Sequence, residues 1–390
     1  MKITFIGQRG IPAFYSGIET RVEQLAVRMA RKGHDITVYC RNYYLKNQKK
    51  PKKYKRVNLI YLPTIRTKHF DTIVHTFLAS VHALFSNYDV IHYQAPGPSS
   101  LSWIIRFLKR NTLVVATYNS RDQYHQKWGF IAKKYLNFSE KIISTIPHLT
   151  ITLTKSLKRE VKKKYKKTPI YIPNGTAIKK TTSFDRLKKW GLKKNKYALT
   201  VNRLVKHKGI HLLIKAFIRL QKSNHLPSNF KLVIVGSSKM LHTTQYEKQL
   251  KKLTKNNKNI IFTGTQKRKA LAQLFSNAYL FIHPSEAEGL STVIIEAMGC
   301  GKALLVSDIK ENLEAIGSSK NAITFKNKNT RDLTRKLKNL LDDPQKVKKL
   351  GKLAQIYAKK HYDWNKITKQ HLKIYQKNLS QLPSRKEKLN

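Results

Sequence analysis

Acidic side chains, cysteines and long apolar runs are what this 390-residue sequence has little of. Asp and Glu number 21 against 78 Lys and Arg, a formal net charge of +57. The two cysteines, Cys40 and Cys300, form no CxxC or Cys/His cluster, so neither a disulfide framework nor a zinc site is supported, and a reducing compartment fits. No apolar stretch approaches the roughly 20 residues that span a bilayer. Met1 runs straight into KITFIG, which reads as a buried strand in place of a charged n-region and an apolar h-region. The expectation is a cytoplasmic protein, soluble or peripheral at the inner face of the cell membrane. Gly7, Gly10 and Gly17 do not make a GxGxxG fingerprint, which disfavours a dinucleotide oxidoreductase. An Asp-x-Asp signature for a divalent ion is also missing.

What is present suffices for folded cores. Hydrophobic residues make up 41% and aromatics 10% of the chain, and its length suggests two domains. Short apolar runs alternate with helical patterns. KITFIG precedes ETRVEQLAVRMARKG, and DITVYC, VNLIYLP, DVIHYQ, TLVVATY and LTITLT follow with helices between them. Such alternation implies a parallel sheet covered on both faces. The pattern restarts after PIYIPNG with YALTVNR, FKLVIVG, NIIFTG, LFIHPS and ALLVSD. Two doubly wound, Rossmann-like domains are expected, 1–178 and 179–357, then an amphipathic helix over 358–380 and a polar tail, 381–390.

The excess charge would draw the chain to nucleic acid or to an anionic membrane face, yet scattered lysines equally fit a compositional bias. With no RNP-like motif or zinc finger, no specific nucleic-acid partner is expected.

SEAEGLSTVIIEAMGCG stands out because it concentrates carboxylates in a basic chain. It reads as a strand end, a turn and a helix, with Glu288 in the turn and Glu296 in the helix. Ser291 and Thr292 fall at the helix start, where free backbone N–H groups and the positive dipole end suit a phosphate. Two glutamates at this spacing also occur as capping or surface residues. Context adds weight: VNRLVKHKG puts Arg203 past a strand and Lys208 before a helix, placing two cations where a diphosphate would be neutralised.

VNRLVKHKG, IPNG, PSEAEGLSTVIIEAMGCG and SDIKEN, in this order, resemble the retaining, nucleotide-sugar-dependent glycosyltransferases of the Glu-x7-Glu group, family 4 type. The resemblance covers essentially the whole chain and implies the GT-B fold, two Rossmann-like α/β domains facing each other across a cleft. IGQRGIPAFYSGIETRVEQLA, DVIHYQAPGPS and KWGFIAKKYL resemble the rhamnosyltransferase branch of polysaccharide assembly. The implied roles are specific. Glu288 would contact the transferred sugar and Glu296 the ribose, with Arg203 and Lys208 on the diphosphate. Gly289, Leu290, Ser291, Thr292, Gly10, Gly264 and Thr265 would complete the donor site. Gly17, Glu19 and Asp122 would serve the acceptor. The implied partners are a nucleotide-diphosphate sugar, such as dTDP-rhamnose or a UDP-sugar, and a growing glycan, lipid-linked. No cofactor and no metal are expected, since two cations and a helix dipole can stabilise the departing diphosphate.

One position departs from the pattern. Relatives carry a histidine where TYNSRDQYHQKWG has Asn119, followed by Asp122, Lys127 and Trp128. Asn can hydrogen-bond a sugar hydroxyl but cannot take a proton, which leaves a catalytically silent member as an alternative. A nucleic-acid-binding protein on the same scaffold is the other. His92 reads as a satisfied strand-end histidine rather than a substitute. The basic loop Lys46–Arg56 and the apolar helix Phe70–Phe85 pair in a way that suits an anionic membrane surface as a further partner, although a core-facing helix explains Phe70–Phe85 equally. Trp364 reads as a packing anchor.

Overall fold

A computed structural model of the chain describes residues 1–14, 16–45, 50–67, 70–120, 130–238, 244–255 and 257–383. Asp122, Lys127 and Trp128 lie outside the described residues. The chain divides into two compact units, Met1–Asn174 with Trp364–Asn390, and Gly175–Asp363.

In the first unit the strands are β1 (Lys2–Ile6), β2 (Asp35–Arg41), β3 (Lys53–Tyr54), β4 (Val57–Leu62), β5 (Val90–Gln94), β6 (Leu113–Tyr118), β7 (Leu149–Thr152) and β8 (Ile170–Tyr171). They form one sheet in the order β3-β4-β2-β1-β5-β6-β7-β8. All neighbours run parallel except β3 and β4. The predicted basic loop therefore contains a short strand, which turns through Lys55 and Arg56 at positive φ to pair with β4. The helices are α1 (Gly17–Arg31), α2 (Phe70–Leu84), α3 (Pro96–Ser99), α4 (Ser102–Leu108), α5 (Phe130–Thr145) and α6 (Lys155–Tyr165). One face of the sheet packs Ile91, Tyr93, Val114 and Ala116 against Ala79 of α2 and Ile105 of α4.

The second unit holds β9 (Tyr197–Val201), β10 (Lys231–Val235), β11 (Ile260–Gly264), β12 (Leu280–His283), β13 (Ala303–Ser307) and β14 (Ile323–Phe325). They lie in the order β11-β10-β9-β12-β13-β14, all parallel. Its helices are α7 (Ile210–Lys222), α8 (Thr244–Leu253), α9 (Arg268–Asn277), α10 (Thr292–Gly299), α11 (Lys310–Ile316), α12 (Thr330–Leu341) and α13 (Pro344–His361). The strands are apolar on both faces, as a covered parallel sheet requires: Leu232, Ile234, Leu280 and Ile282 pack with α7 and α12, and Phe281 packs on Phe275 of α9. The last helix, α14 (Trp364–Leu379), belongs to the first unit, where it packs on α1 and β6.

Both divisions differ from the predicted boundaries. Thr176–Ile178 go with the second unit because Thr176 N–H donates to Tyr362 O (2.9 Å) and all three residues donate to Glu296. Residues 358–361 continue α13, so the break falls after Asp363.

Candidate active site

Order in the second sheet reverses between β9 and β12, and open α/β sheets bind ligands beyond the carboxyl ends of the strands at such a point. Arg203 and Lys208 follow β9, and Glu288 follows β12. Two glycines let the backbone close up here. A Cβ on Gly209 (φ +63°) would lie 2.0 Å from Pro284 O, and one on Gly236 (φ +135°) 1.8 Å from Asn202 O. Glu286 N–H donates to His207 O (2.8 Å), fastening the β12 loop to the β9 loop.

Across that fastening Lys208 Nζ donates to Glu288 Oε1 in a short charge-assisted hydrogen bond, with both side chains 10% exposed. His283 Nε2 lies 2.9 Å from the same oxygen, and Asn202 Nδ2 lies 3.5 Å from His283 Nδ1. Because an amide nitrogen only donates, this network puts the imidazole proton on Nε2, directed at Glu288. Burial, first, lowers the His283 pKa below the ordinary imidazole range, with Glu288 opposing. Burial by itself would raise the Glu288 pKa. The Lys208 ammonium and His283 outweigh it and hold the carboxyl well below the usual range. Glu288 is thus an ionised carboxylate with a built-in cation.

Glu296, the fifth residue of α10, is buried and spends its carboxylate on the chain entering this unit. Oε1 accepts from Ala177 N–H (2.8 Å), and Oε2 from Thr176 Oγ1 (2.8 Å) and Ile178 N–H (2.7 Å). Burial raises its pKa while these donors pull it down. A carboxylate offers about four acceptor positions, so one remains. Ser291 precedes α10 without a side-chain cap bond; its Oγ lies 3.1 Å from His283 Nε2 instead. Leu290 is buried, Gly289 and Thr292 half-buried, and Arg203 exposed. Gly264 O accepts from Gly236 N–H (3.0 Å), which brings the end of β11, with exposed Thr265 after it, to the same edge.

Residues 184–357 match the family described as glycosyl transferases group 1, and residues 15–180 match glycosyltransferase family 4. The chain carries the two domains of a GT-B-type glycosyltransferase. It is 28% identical to an uncharacterized glycosyltransferase of Methanocaldococcus jannaschii over 70% of each chain. Over 28% of each chain it is 37% identical to the N,N'-diacetylbacillosaminyl-diphospho-undecaprenol alpha-1,3-N-acetylgalactosaminyltransferase of Campylobacter jejuni. Among solved structures, sucrose-phosphate synthase from Thermosynechococcus elongatus superposes with a TM-score of 0.80 at 20% identity, covering 97% of this chain and 99% of that one. HepE of Anabaena, in complex with UDP and glucose, superposes with a TM-score of 0.77 at 18% identity over 97% and 100%. These likenesses give the fold.

In the first unit the proposed residues scatter more. Asn119 follows β6, and neither atom of its amide has a hydrogen-bond partner among the described residues. Glu19 is buried in a capping box at the start of α1: Ser16 N–H donates to its carboxylate (2.9 Å) and Glu19 N–H donates to Ser16 Oγ (3.4 Å). Gly17 is exposed in the first turn of that helix. A Cβ on Gly10 would meet the Tyr44 ring at 2.6 Å, so Tyr44 occupies the space left there. His92 is buried between Thr117 Oγ1 (2.7 Å) and the Tyr375 hydroxyl (2.7 Å).

Sequence reasoning missed His283, although a histidine closing a strand five residues before Glu288 is a legible signal. It also missed Arg21. This fully buried guanidinium donates to Asn174 Oδ1 (2.9 Å), to Thr117 Oγ1 (3.5 Å) and to His371 Nε2 (2.9 Å). Burial lowers its pKa to about 10, so it stays charged at neutral pH.

Proposed function

We propose that the protein transfers a sugar, with retention of anomeric configuration, from a nucleotide-diphosphate donor to a lipid-linked glycan of the cell surface. The observation that carries this reading is the Lys208–Glu288–His283 constellation at the strand-order reversal of the second unit. Glu288, kept ionised, lies against the transferred sugar. Lys208 has three N–H donors and spends one on Glu288, which leaves two for the diphosphate. Exposed Arg203 adds a fork for the same phosphates. The free N–H groups at the start of α10 add dipole stabilisation as charge develops on the leaving group. Glu296 gives its remaining acceptor position to a ribose hydroxyl. The bond from the anomeric carbon to the diphosphate oxygen breaks with its electron pair leaving on the diphosphate. The acceptor oxygen bonds to that carbon on the same face and passes its proton to the departing diphosphate oxygen.

HepE, crystallised with UDP and glucose, and the undecaprenol-diphosphate specificity in the Campylobacter enzyme's name support a UDP-sugar and a lipid diphosphate. The rhamnosyltransferase-like motifs of the first unit support dTDP-rhamnose as the other donor to test. Chemistry without a metal follows from the two cations and the helix dipole, so EDTA should leave transfer unchanged. Asn119, which follows β6, meets a sugar hydroxyl with an amide that has no hydrogen-bond partner among the described residues. The test is a mass-spectrometric screen of UDP- and dTDP-sugars with extracted lipid acceptors. Release of nucleoside diphosphate together with a glycosylated lipid is expected. Binding of UDP or dTDP without turnover of any donor would point to a silent member, and no nucleotide binding at all would overturn the reading.

A further inference from the structure

Helix α2 is amphipathic the wrong way round for a helix lying on a sheet. Its buried residues are His75, Thr76, Ala79, Ser80 and Ala83. Two of the polar ones among these are hydrogen-bonded, and the third, His75, is held neutral. Ser80 Oγ lies 2.8 Å from the Tyr93 hydroxyl, Thr76 Oγ1 donates to Thr72 O (2.7 Å), and burial, first, with the Arg41 guanidinium pushes the His75 pKa down to about 4, leaving a neutral ring. Helical spacing puts Phe70, Val74, Phe77 and Val81 on the opposite face. The neighbouring helix α4, which packs against α2, buries Ser102, Ile104 and Ile105 and likewise turns large apolar side chains outward, Trp103 and Phe107. Both helices contribute to the same core, Ala79 and Ala83 from one and Ile105 from the other, so their outer faces look the same way, away from the sheet. Phe70, Phe77, Phe85, Trp103, Phe107 and Leu108 range from 44% (Trp103) to 84% (Phe85) exposed. Lys109 Nζ fixes the pair by donating to Leu84 O (2.9 Å) and Ser86 O where α2 ends.

We propose that the outer faces of α2 and α4 are a membrane-contact surface, seated in the headgroup–acyl boundary of an anionic bilayer. The inference deepens the lipid-linked acceptor reading and rests on it for its purpose. Clustered large apolar side chains on a chain with so few acids point to an occupant that is apolar beneath and negative above. α4 carries no acid, and the Asp71 carboxylate of α2 is tied to Arg41 and to the Tyr43 hydroxyl (2.7 Å). Arg106 and Arg110 border the aromatic patch, with Arg106 over the Phe107 ring at 5.9 Å. A second copy of this chain fits less well, because two surfaces of a +57 protein repel each other. Among the described residues no helix is long and apolar enough to cross a membrane, so the contact is one of lying on the surface.

The experiment is co-sedimentation of the full chain with phosphatidylglycerol-containing and with pure phosphatidylcholine vesicles, at low and high salt. The wild type is compared with the triple variant Phe77→Ser/Trp103→Ser/Phe107→Ser and with Arg106→Gln/Arg110→Gln. Wild-type binding to anionic vesicles is expected, weakened by salt. The aromatic variant should lose about tenfold or more in partitioning, and the arginine variant should lose salt sensitivity. Unchanged melting temperature and UDP binding identify the aromatic variant as folded. Failure of the wild type to bind anionic vesicles overturns the proposal, as does equal binding by the folded triple variant. Concentration-dependent dimerisation that the triple variant abolishes would assign the surface to a second copy instead. These vesicles contain neither donor nor acceptor, so a negative result leaves the transfer reading standing, and failed transfer leaves this one standing.

Discussion

The carboxyl-end edges of the two sheets handle charge in opposite ways. In the second unit a cation and an anion, Lys208 and Glu288, sit in direct contact with His283 behind them. In the first unit the buried guanidinium of Arg21 meets neutral acceptors, and among the described residues no carboxylate pairs with it. The Asn119 amide there also has no hydrogen-bond partner among the described residues. A matched ion pair can be held ready at modest cost, because each charge stabilises the other out of water. A lone guanidinium must be held by dipoles. His371 supplies one as a neutral ring: its Nε2 accepts from Arg21, its Nδ1 lies 2.8 Å from Ile367 O, and burial, then Arg21, pushes its pKa down to about 3. Under the proposed function, the ion-paired edge is the reaction site. The other is a scaffold whose polar groups fasten α14 to α1 and β6.

Breaking the ion pair should give the largest effect. Lys208→Ala leaves Glu288 with His283 alone, and should cost about 3 kcal/mol in chemical denaturation as well as reducing transfer by orders of magnitude. Retained stability would mean the pair is not effectively buried. Arg203→Ala sharpens the contrast, because Arg203 is exposed. Transfer should fall roughly a hundredfold while stability stays within about 0.5 kcal/mol of wild type. In the first unit, Arg21→Met should cost about 1–3 kcal/mol, since Asn174 and His371 lose a donor. A larger effect on transfer than on unfolding would move Arg21 from scaffold to chemistry. Asn119→Ala should give the smallest change in stability, within about 0.5 kcal/mol, because its amide has no hydrogen-bond partner among the described residues. A substantial fall in melting temperature would show that the amide has partners after all.

Acid adds an independent probe of the same contrast. The folded-state pKa of Glu288 is depressed, so its stabilisation is fully present above the ordinary glutamate range and is lost as pH falls below that range toward the folded value. Stability measured from pH 6 down to pH 3 should therefore decline less steeply in Glu288→Gln than in the wild type.

Much of the second unit was legible in the sequence, because continuous apolar strands and a turn rich in small residues leave little choice of period. Arg203, Lys208, Gly264 and Glu288 each follow or end a strand of one parallel sheet, so topology alone brings them to one edge. His283 escaped notice because a single histidine in an apolar run looks like core, and only the 2.9 Å contact gives it a role. Glu296 kept its place but gained Thr176, Ala177 and Ile178, partners more than a hundred residues earlier that no local pattern reveals. The direction of α2 was equally hidden. Its apolar periodicity fits a core-facing helix, yet the sheet takes the His75–Thr76–Ser80 side and leaves the phenylalanines outside. Periodicity fixes which residues share a face; neighbours decide which face is buried.

The most direct measurement is transfer by Glu288→Gln beside its affinity for the nucleoside diphosphate, both at neutral pH. Removing one negative charge while keeping the shape should leave nucleotide affinity within a few-fold and lower the rate by roughly a hundredfold or more. Wild-type transfer by this folded variant would contradict the assignment of the second unit's edge as the reaction site.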